Sequence, residues 1–303
     1  MSDPPTTPDH SSADDSRRSV YAVMLLQSLF ASGTHLVAKV VVGAVDAFTL
    51  TLIRSLIAAL AMVLLLFVRG DRLSIRREDY WLVLGLAFLA VPVNQFLFLF
   101  GMRYTTPSNA ALLYATTPIL VVLFSRWFLG EQLTRRKIAG VILGFIGVAV
   151  VILERGVDAS MQYLFGNVIL YVAVLAWGLY TVLGKRLIAI YGAVHASSIT
   201  LIGGTLMFIP LGLLSAVRFP YGSLSAANWL EILYLGLITS VVSYLLWYFA
   251  LARIEAGKVA LFANLQPILT TIMAVVLLGQ DITVPFLLGG TIAIAGVIVA
   301  QFG

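Results

Sequence analysis

The chain has 303 residues, of which 60% are hydrophobic and only 11% are charged. A soluble fold of this length could not bury so much apolar surface, so the composition predicts a protein whose solvent is lipid. The absence of cysteine excludes a disulfide framework, a thiolate metal site and a cysteine nucleophile. The net charge is +5, but the basic residues lie between apolar runs and therefore indicate membrane topology rather than a nucleic-acid surface.

Residues 1–19 are rich in Pro, Ser, Thr and Asp and contain no apolar run. This composition predicts a disordered cytoplasmic tail rather than a signal peptide. The apolar segment that follows, from Val20 to Val42, is too long for the core of a signal peptide and has no cleavage pattern after it. We therefore expect it to be retained as the first membrane-spanning helix.

Ten apolar segments are long enough to cross a bilayer, which predicts an all-α polytopic membrane protein. The predicted spans are 20–42, 47–68, 80–101, 109–128, 137–153, 166–190, 195–217, 230–251, 259–278 and 285–302. With a cytoplasmic N-terminus, most of the 19 basic residues lie in cytoplasmic segments, whereas Arg103, Arg155 and Arg218 lie at outer edges. The positive-inside rule thus predicts that both termini are cytoplasmic. Lys39 and Arg54 lie within spans.

The second half of the chain repeats the first. A shift of 149 residues aligns the segment 129–134 (LGEQLT) with 278–283 (LGQDIT), Pro118 with Pro267, and the glycines 140 and 147 with 289 and 296. A shift of 146 pairs Lys39 with Lys185. Chance similarity between apolar helices would align leucines, but it does not explain a proline, two glycines and a turn in register. The predicted units are residues 20–153 and 166–303, joined by a linker at 154–165.

Each unit contains five predicted spans, so the second unit must enter the membrane from the opposite face. Inverted repeats of this kind form a central cavity that opens to either side by equivalent motions, which favours a transporter with alternating access. An enzyme is not expected, because no nucleophile, metal cluster, acid/base pair or nucleotide-binding motif is present. A membrane-embedded enzyme remains the alternative of another class, together with a passive channel for small polar solutes.

Three motifs carry a resemblance to a known family. They are Trp177-Gly178 with Lys185, the Ala-Ala-Leu-Leu-x-x-x-x-Pro run from Ala110 to Pro118, and Leu129-Gly-Glu131 before a Gly-x-x-Leu-x-x-x-Gly helix. In these features the chain resembles the EamA family of the drug/metabolite transporter superfamily, from about residue 20 to residue 302. The resemblance implies a bacterial inner-membrane carrier with two EamA domains that exports amino acids or related metabolites. The chain departs from the pattern at Ala31-Ser32, where the repeat has Trp-Gly, and at Gln280-Asp281.

Polar and aromatic residues within the spans mark the candidate substrate pathway, because polar groups in the bilayer need a partner or a wet cavity. Those predicted to bind substrate are Gln27, Thr34, His35, Arg54, Asn94, Gln95, Tyr114, Trp177, Tyr180, Ser243, Tyr244, Trp247, Asn264 and Gln266. For any single amide or hydroxyl, the alternative is an interhelical hydrogen bond that serves only packing.

Two basic groups within the spans have open roles. His35 either links transport to protons or is a neutral imidazole bonded to a neighbouring helix. Arg54 lies about two turns into its helix, so snorkelling is difficult and it is a candidate for carboxylate binding or gating. No Asp or Glu lies mid-span, which disfavours efflux of lipophilic cations. The expected partners are a small-molecule substrate and the lipid bilayer, with no nucleic acid, cofactor or metal; proton coupling and a dimer are left open.

Overall fold

The computed structural model of the chain describes residues 10–154, 156, 160–269, 272 and 283–301. Regular structure within these residues is helical throughout, with no strand. The α-helices are α1 (His10–Ser32), α2 (Thr34–Ala44), α3 (Ala47–Val68), α4 (Tyr80–Phe88), α5 (Phe96–Arg103), α6 (Pro107–Tyr114), α7 (Thr117–Leu129), α8 (Arg135–Glu154), α9 (Met161–Arg218), α10 (Ala226–Leu233), α11 (Ser243–Leu251), α12 (Ala256–Ala260) and α13 (Val284–Gln301).

Eight stretches of the described chain are long and apolar enough to cross a membrane. Their outward faces carry large apolar side chains such as Leu60, Phe67 and Trp81, which is the surface that a lipid solvent requires. The prediction of a helical polytopic membrane protein is confirmed.

The exact count of ten spans stays a prediction, for two reasons. Helix α9 has 58 residues, but Gly192 within it has φ 77° and ψ 166°, so the chain turns there between segments 161–191 and 193–218. These segments match the predicted sixth and seventh spans. The predicted ninth span, 259–278, begins in α12, but much of it lies outside the described residues.

Helix α1 begins at His10, so it extends ahead of the predicted first span into the predicted tail. The first span also breaks at Gly33, between α1 and α2. The Tyr234 hydroxyl donates a hydrogen bond to the carbonyl of Phe30, and a Cβ placed on Gly33 would lie 2.7 Å from the same hydroxyl. A side chain inserted into the ladder of helical hydrogen bonds is a known cause of such a break, and only glycine leaves room for this one.

The third and eighth spans each contain a π-helical segment, at Leu89–Gln95 and at Tyr234–Val242. Pro92 lies in the first of them and cannot donate a hydrogen bond to the preceding turn. The wider π-turn changes the direction of the side chains that follow it, and such turns occur frequently at functional sites.

Helices α8 and α13 pack closely along their glycines. A Cβ on Gly140 would lie 2.5 Å from the carbonyl oxygen of Gly296, and a Cβ on Gly147 would lie 2.5 Å from that of Gly289. Because the residue numbers rise along one helix as they fall along the other, the two helices are antiparallel. The repeat aligns 140 with 289 and 147 with 296, so each glycine meets the repeat counterpart of the other, which is the contact pattern of a two-fold axis.

The two ends of the bundle are named here by their lysines. At the Lys39 end, Lys39 contacts Thr105, which contacts Asn167 near the start of α9. Lys185 lies 18 residues further along α9, roughly 27 Å away at 1.5 Å per residue. The Lys185 end also holds Glu131, which follows α7, and Glu255, which precedes α12.

Candidate functional site: a polar cavity between the helices

A cavity of about 110 Å³ lies between the first, second, third, fourth, sixth, eighth and ninth predicted spans. This volume has room for several water molecules, since each needs about 10–15 Å³. The predicted residues that line it are Gln27, Thr34, His35, Arg54, Asn94, Gln95, Tyr114, Trp177, Ser243, Tyr244, Trp247 and Gln266. The structure thus brings together most of the residues that the sequence singled out.

Two predicted residues do not line the cavity. Tyr180 is stacked behind Trp177, with ring centroids 5.7 Å apart, and its hydroxyl lies 2.9 Å from the hydroxyl of Thr200. Asn264 is fully buried against Gly144 of α8, where a Cβ would lie 2.4 Å from the amide nitrogen. Both side chains belong to the packing around the cavity in this structure.

Sequence reasoning missed Phe98 and Thr239, which also line the cavity. Phe98 carries no polar signal that would separate it from other apolar residues. Thr239 lies in the π-helical segment and lines the cavity. The next residue, Ser240, instead donates a hydrogen bond to the carbonyl of Leu235 at 2.9 Å.

An amide–phenol network joins the π-helical segment of the third span to the fourth, sixth and eighth spans. The side-chain amide of Asn94 donates to the carbonyl of Ala173 at 2.9 Å and to the Tyr114 hydroxyl at 3.3 Å. The Tyr244 hydroxyl donates to Asn94 Oδ1 at 3.4 Å and accepts from Gln95 Nε2 at 3.4 Å. The network holds the third, fourth, sixth and eighth spans in one arrangement.

Arg54 is the most deeply placed charge of the site, with only 2% of the side chain exposed. Its Nη2 and Nε donate to the hydroxyl oxygen of Ser240 at 2.7 and 3.3 Å. Its Nη1 is buried and has no hydrogen-bond partner among the described residues. The guanidinium therefore presents an unused pair of donors at the cavity wall.

His35 lies on the same wall between two aromatic rings. Its imidazole meets Phe98 edge to face at 5.5 Å and Tyr114 at 5.3 Å. Its Nδ1 is buried without a partner within the described part of the chain. Both interpretations of His35, a link to protons and a neutral imidazole bonded to a neighbouring helix, stay predictions.

Three aromatic residues form the opposite side of the cavity. The Trp177 ring lies 5.2 Å from Tyr244 and 5.4 Å from Trp247, measured between centroids. The indole of Trp247 donates to Thr181 Oγ1 at 3.3 Å, which fixes the ring orientation. Indole faces of this kind bind apolar or aromatic bodies.

The lining is unusual for its number of unsatisfied polar atoms. Six of the lining residues each have a buried polar atom without a hydrogen-bond partner among the described residues, and they are Gln27, His35, Arg54, Gln95, Thr117 and Ser243. Buried polar groups are normally paired, because each unpaired one costs about 1–3 kcal/mol. Six together indicate a cavity that contains water or a ligand. No cluster of His, Asp or Glu that could hold a metal occurs within the described ranges.

A helical membrane protein with a polar cavity enclosed by its spans, and no grouping of catalytic type along it, has the architecture of a membrane transporter. The model of the EamA-like transporter family matches the chain twice, at residues 18–153 and 164–301. The chain belongs to this family.

Individual proteins agree with this assignment. The uncharacterized transporter YyaM of Bacillus subtilis is 28% identical over 285 residues, with 93% of each chain covered. A probable terminal-alkyne amino-acid exporter of Streptantibioticus cattleyicolor is 27% identical over 248 residues, with 82% of each covered. One solved crystal structure superposes with a TM-score of 0.76 over 94% of this chain and 98% of its own, at 21% identity, so it shares the fold.

Proposed function

We propose that the protein is a secondary transporter that exports amino acids or related small metabolites by alternating access, with the polar cavity as the substrate site. The observation that carries the proposal is the group of six unpartnered polar atoms on a cavity enclosed by membrane-spanning helices. A substrate that supplies the missing partners would recover part of the free energy that their burial costs.

Further support comes from the repeat. In the antiparallel contact of α8 with α13, each glycine meets the repeat counterpart of the other, which supports two inverted units of the kind that alternating access uses. The relative in Streptantibioticus is named a probable amino-acid exporter, which favours an amino acid or a relative of one and the outward direction. Coupling to protons and assembly as a dimer stay predictions.

Counterflow in proteoliposomes tests the carrier mechanism. Vesicles preloaded with an unlabelled metabolite should take up the labelled form faster than empty vesicles, because a carrier returns loaded more readily than empty. A passive channel gives no such acceleration. Trp247→Phe, in the cavity, should reduce uptake, whereas Trp81→Phe on the lipid-facing surface should leave it unchanged. Absence of acceleration across a panel of amino acids and their derivatives would contradict the proposal.

We further propose that the protein lies in a bacterial inner membrane with the Lys185 end in the cytoplasm. The chain has no cysteine, so a single introduced cysteine reports its own position. In intact spheroplasts an impermeant maleimide should label Ser223→Cys, in the exposed turn that follows α9. Arg72→Cys, in the exposed turn that follows α3, should react only after permeabilisation. The reverse pattern would invert the topology.

A further inference from the structure

The charged groups of the cavity are of one sign. Arg54 and His35 are its basic groups, and none of the described residues that line it is Asp or Glu. Arg54 has no ion pair among the described residues, and the groups it contacts there are neutral. A cation in such surroundings lacks both water and a counter-charge, which is costly in a medium of low dielectric constant.

Arg54 lines the cavity, and one of its guanidinium nitrogens is unused among the described residues. Ser240 occupies Nε and Nη2, while Nη1 remains without a partner among the residues described. A guanidinium prefers planar oxyanions, because its N–H groups match the two oxygens of a carboxylate. A carboxylate placed at Nη1 would satisfy this donor and neutralise the buried charge.

The rest of the cavity accepts a neutral body better than a second charge. Trp177 and Trp247 offer apolar faces, and Gln27 and Gln95 offer neutral amides. An ammonium group would find only these neutral partners and no carboxylate among the described lining residues. A zwitterion bound through its carboxylate to Arg54 would therefore leave its own ammonium group without a counter-charge, whereas a monoanion would leave no net charge in the cavity.

We propose that this site selects small organic monoanions, with the substrate carboxylate on Arg54 and an apolar or aromatic body on Trp177 and Trp247. The proposal rests on the proposed function, because it takes the cavity as the substrate site. It narrows the substrate class to carboxylates without a compensating amino group, such as hydroxy acids, oxo acids and N-acylated amino acids, and to amino acids with an additional carboxylate.

Three ligands that have the same aromatic group but different net charges test the effect of ligand charge on binding. Binding of 3-phenyllactate, phenylalanine and phenylalanine methyl ester to the purified full chain in nanodiscs should rank in that order. Their net charges at neutral pH run from negative through zero toward positive. We expect 3-phenyllactate to bind about tenfold more tightly than phenylalanine, as one charge-assisted contact without an opposing penalty allows. The ester should show no saturable binding.

Variants then test whether Arg54 causes the preference for the anionic ligand. Arg54→Gln should abolish the preference for 3-phenyllactate, whereas Arg54→Lys should keep part of it, because the charge remains but the fork of donors is lost. Lys39→Gln is the matched control, since Lys39 is also basic, lies within the first span and donates to backbone carbonyls instead of lining the cavity. It should leave the ligand ranking unchanged.

The outcomes separate the two proposals. If phenylalanine binds as tightly as 3-phenyllactate and shows counterflow, the transport function stands and the charge preference is wrong. If Arg54→Gln keeps the preference, Arg54 does not hold the carboxylate and the inference is overturned. If none of the three ligands binds, the inference is likewise overturned. The ranking of the three ligands is measured on the unaltered chain, so this part of the test does not depend on whether a variant folds.

Discussion

Lys39 and Lys185, which the repeat aligns, make the same contact at opposite ends of the bundle. The ammonium of Lys39 donates to the carbonyl of Thr105 at 2.7 Å, and that of Lys185 donates to the carbonyl of Ile254 at 3.0 Å. Residues 105 and 254 are 149 positions apart, like the aligned prolines and glycines of the repeat, and the two lysines are 146 apart. Each lysine therefore caps the carboxyl end of the equivalent helix, where a cation is favourable.

The surroundings of the two lysines differ. Lys185 also pairs with Glu131 at 3.2 Å, and Glu131 accepts a hydrogen bond from the backbone amide of Ala256 at 3.0 Å. Lys137 lies 3.8 Å from Glu131 and 2.6 Å from Glu255. These ion pairs join the first predicted unit to the second. Lys39 has no ion pair within the described residues, and position 280, which the repeat aligns with Glu131, lies outside them.

At the Lys39 end, the two units are joined by hydrogen bonds rather than by ion pairs among the described residues. Thr105 donates to the side chain of Asn167 at 2.5 Å, and Ser215 donates to Asp46 at 2.7 Å. The scaffold contact of the lysine is thus common to both ends, while the contacts between units are ionic at one end and mostly neutral at the other. Two related halves can keep their packing and still give the two ends different chemistry.

The largest expected effect is that of Glu131→Gln. The side chain of Lys137 is 2% exposed and that of Glu131 is 10% exposed. The substitution leaves Lys137 with Glu255 alone and removes the carboxylate that pairs with Lys185. We expect the free energy of unfolding to fall by about 3 kcal/mol. Thermal unfolding in detergent, followed by tryptophan fluorescence, measures the loss.

Glu78→Gln is the matched control for this substitution. Glu78 pairs with Arg76 at 3.6 Å, but both side chains are largely exposed. Pairs of this kind contribute little, so the melting temperature should hardly change. Equal losses from Glu131→Gln and Glu78→Gln would mean that the ion cluster does not stabilise the Lys185 end.

A comparison of Lys39→Gln with Lys185→Gln measures the difference between the ends directly. Lys39→Gln loses bonds to the carbonyls of Met102 and Thr105, whereas Lys185→Gln loses one to Ile254 and the pairing with Glu131. Each charge-assisted bond costs about 2 kcal/mol. In a Glu131→Gln background the loss from Lys185→Gln should shrink by about 1 kcal/mol, and the loss from Lys39→Gln should not change. An unchanged loss from Lys185→Gln would mean that the pairing with Glu131 contributes nothing.

Asp46→Ala should give a smaller loss at the Lys39 end. Asp46 caps α3 through the amides of Phe48 and Thr49 and accepts from Ser215, so removing it should cost about 1 kcal/mol. Partial desolvation would raise the pKa of Asp46, but the bonds from Thr49, Ser215 and Phe48 outweigh it and hold the pKa below its ordinary value of 3.8.

This lowered pKa gives the substitution a pH signature. The stabilisation is complete above the unfolded pKa of 3.8 and is lost as the pH falls through the lower folded value. The unaltered chain should therefore be more stable than Asp46→Asn by a constant amount above about pH 4, and the difference should shrink as the pH falls further. A difference that stays constant down to the lowest pH would contradict this assignment.

Ionic strength should have the smallest effect. The ion cluster at the Lys185 end is mostly buried and is therefore weakly screened, so raising the salt concentration tenfold should lower the melting temperature only slightly. Glu131→Gln should remove even that dependence. A large salt effect that survives in Glu131→Gln would place the important charges elsewhere, for example in the exposed turn at Arg69 and Asp71, which pair at 2.8 Å.

The helical fold and most of the cavity lining could be predicted from the sequence because they follow from simple periodicities. Gln27, Ala31 and Thr34 share a face at α-helical spacing, and the structure places all three on the cavity. The inserted hydroxyl of Tyr234 at Gly33 could not be predicted, since its partner lies some 200 residues away. No local sequence pattern around Gly33 indicates that a distant side chain contacts the helix there.

The predicted residues that do not line the cavity differ from the others for local reasons. Asn264 ends a 3₁₀ turn at Leu261–Asn264, and its side chain lies against Gly144 of α8. Tyr180 lies near Trp177 on α9, and the two rings stack. Thr239 lies four residues before Ser243, so helical spacing could have identified it.

The glycine contact between α8 and α13 has a consequence for a half of this chain expressed alone. Gly140 meets the repeat counterpart of Gly147, and Gly147 meets the repeat counterpart of Gly140, so the surface is complementary to an antiparallel copy of itself. A five-helix fragment would expose this surface and could cover it only with a second fragment inserted the opposite way. The fused chain contains one five-helix unit in each membrane orientation, so the two units are always present in equal number.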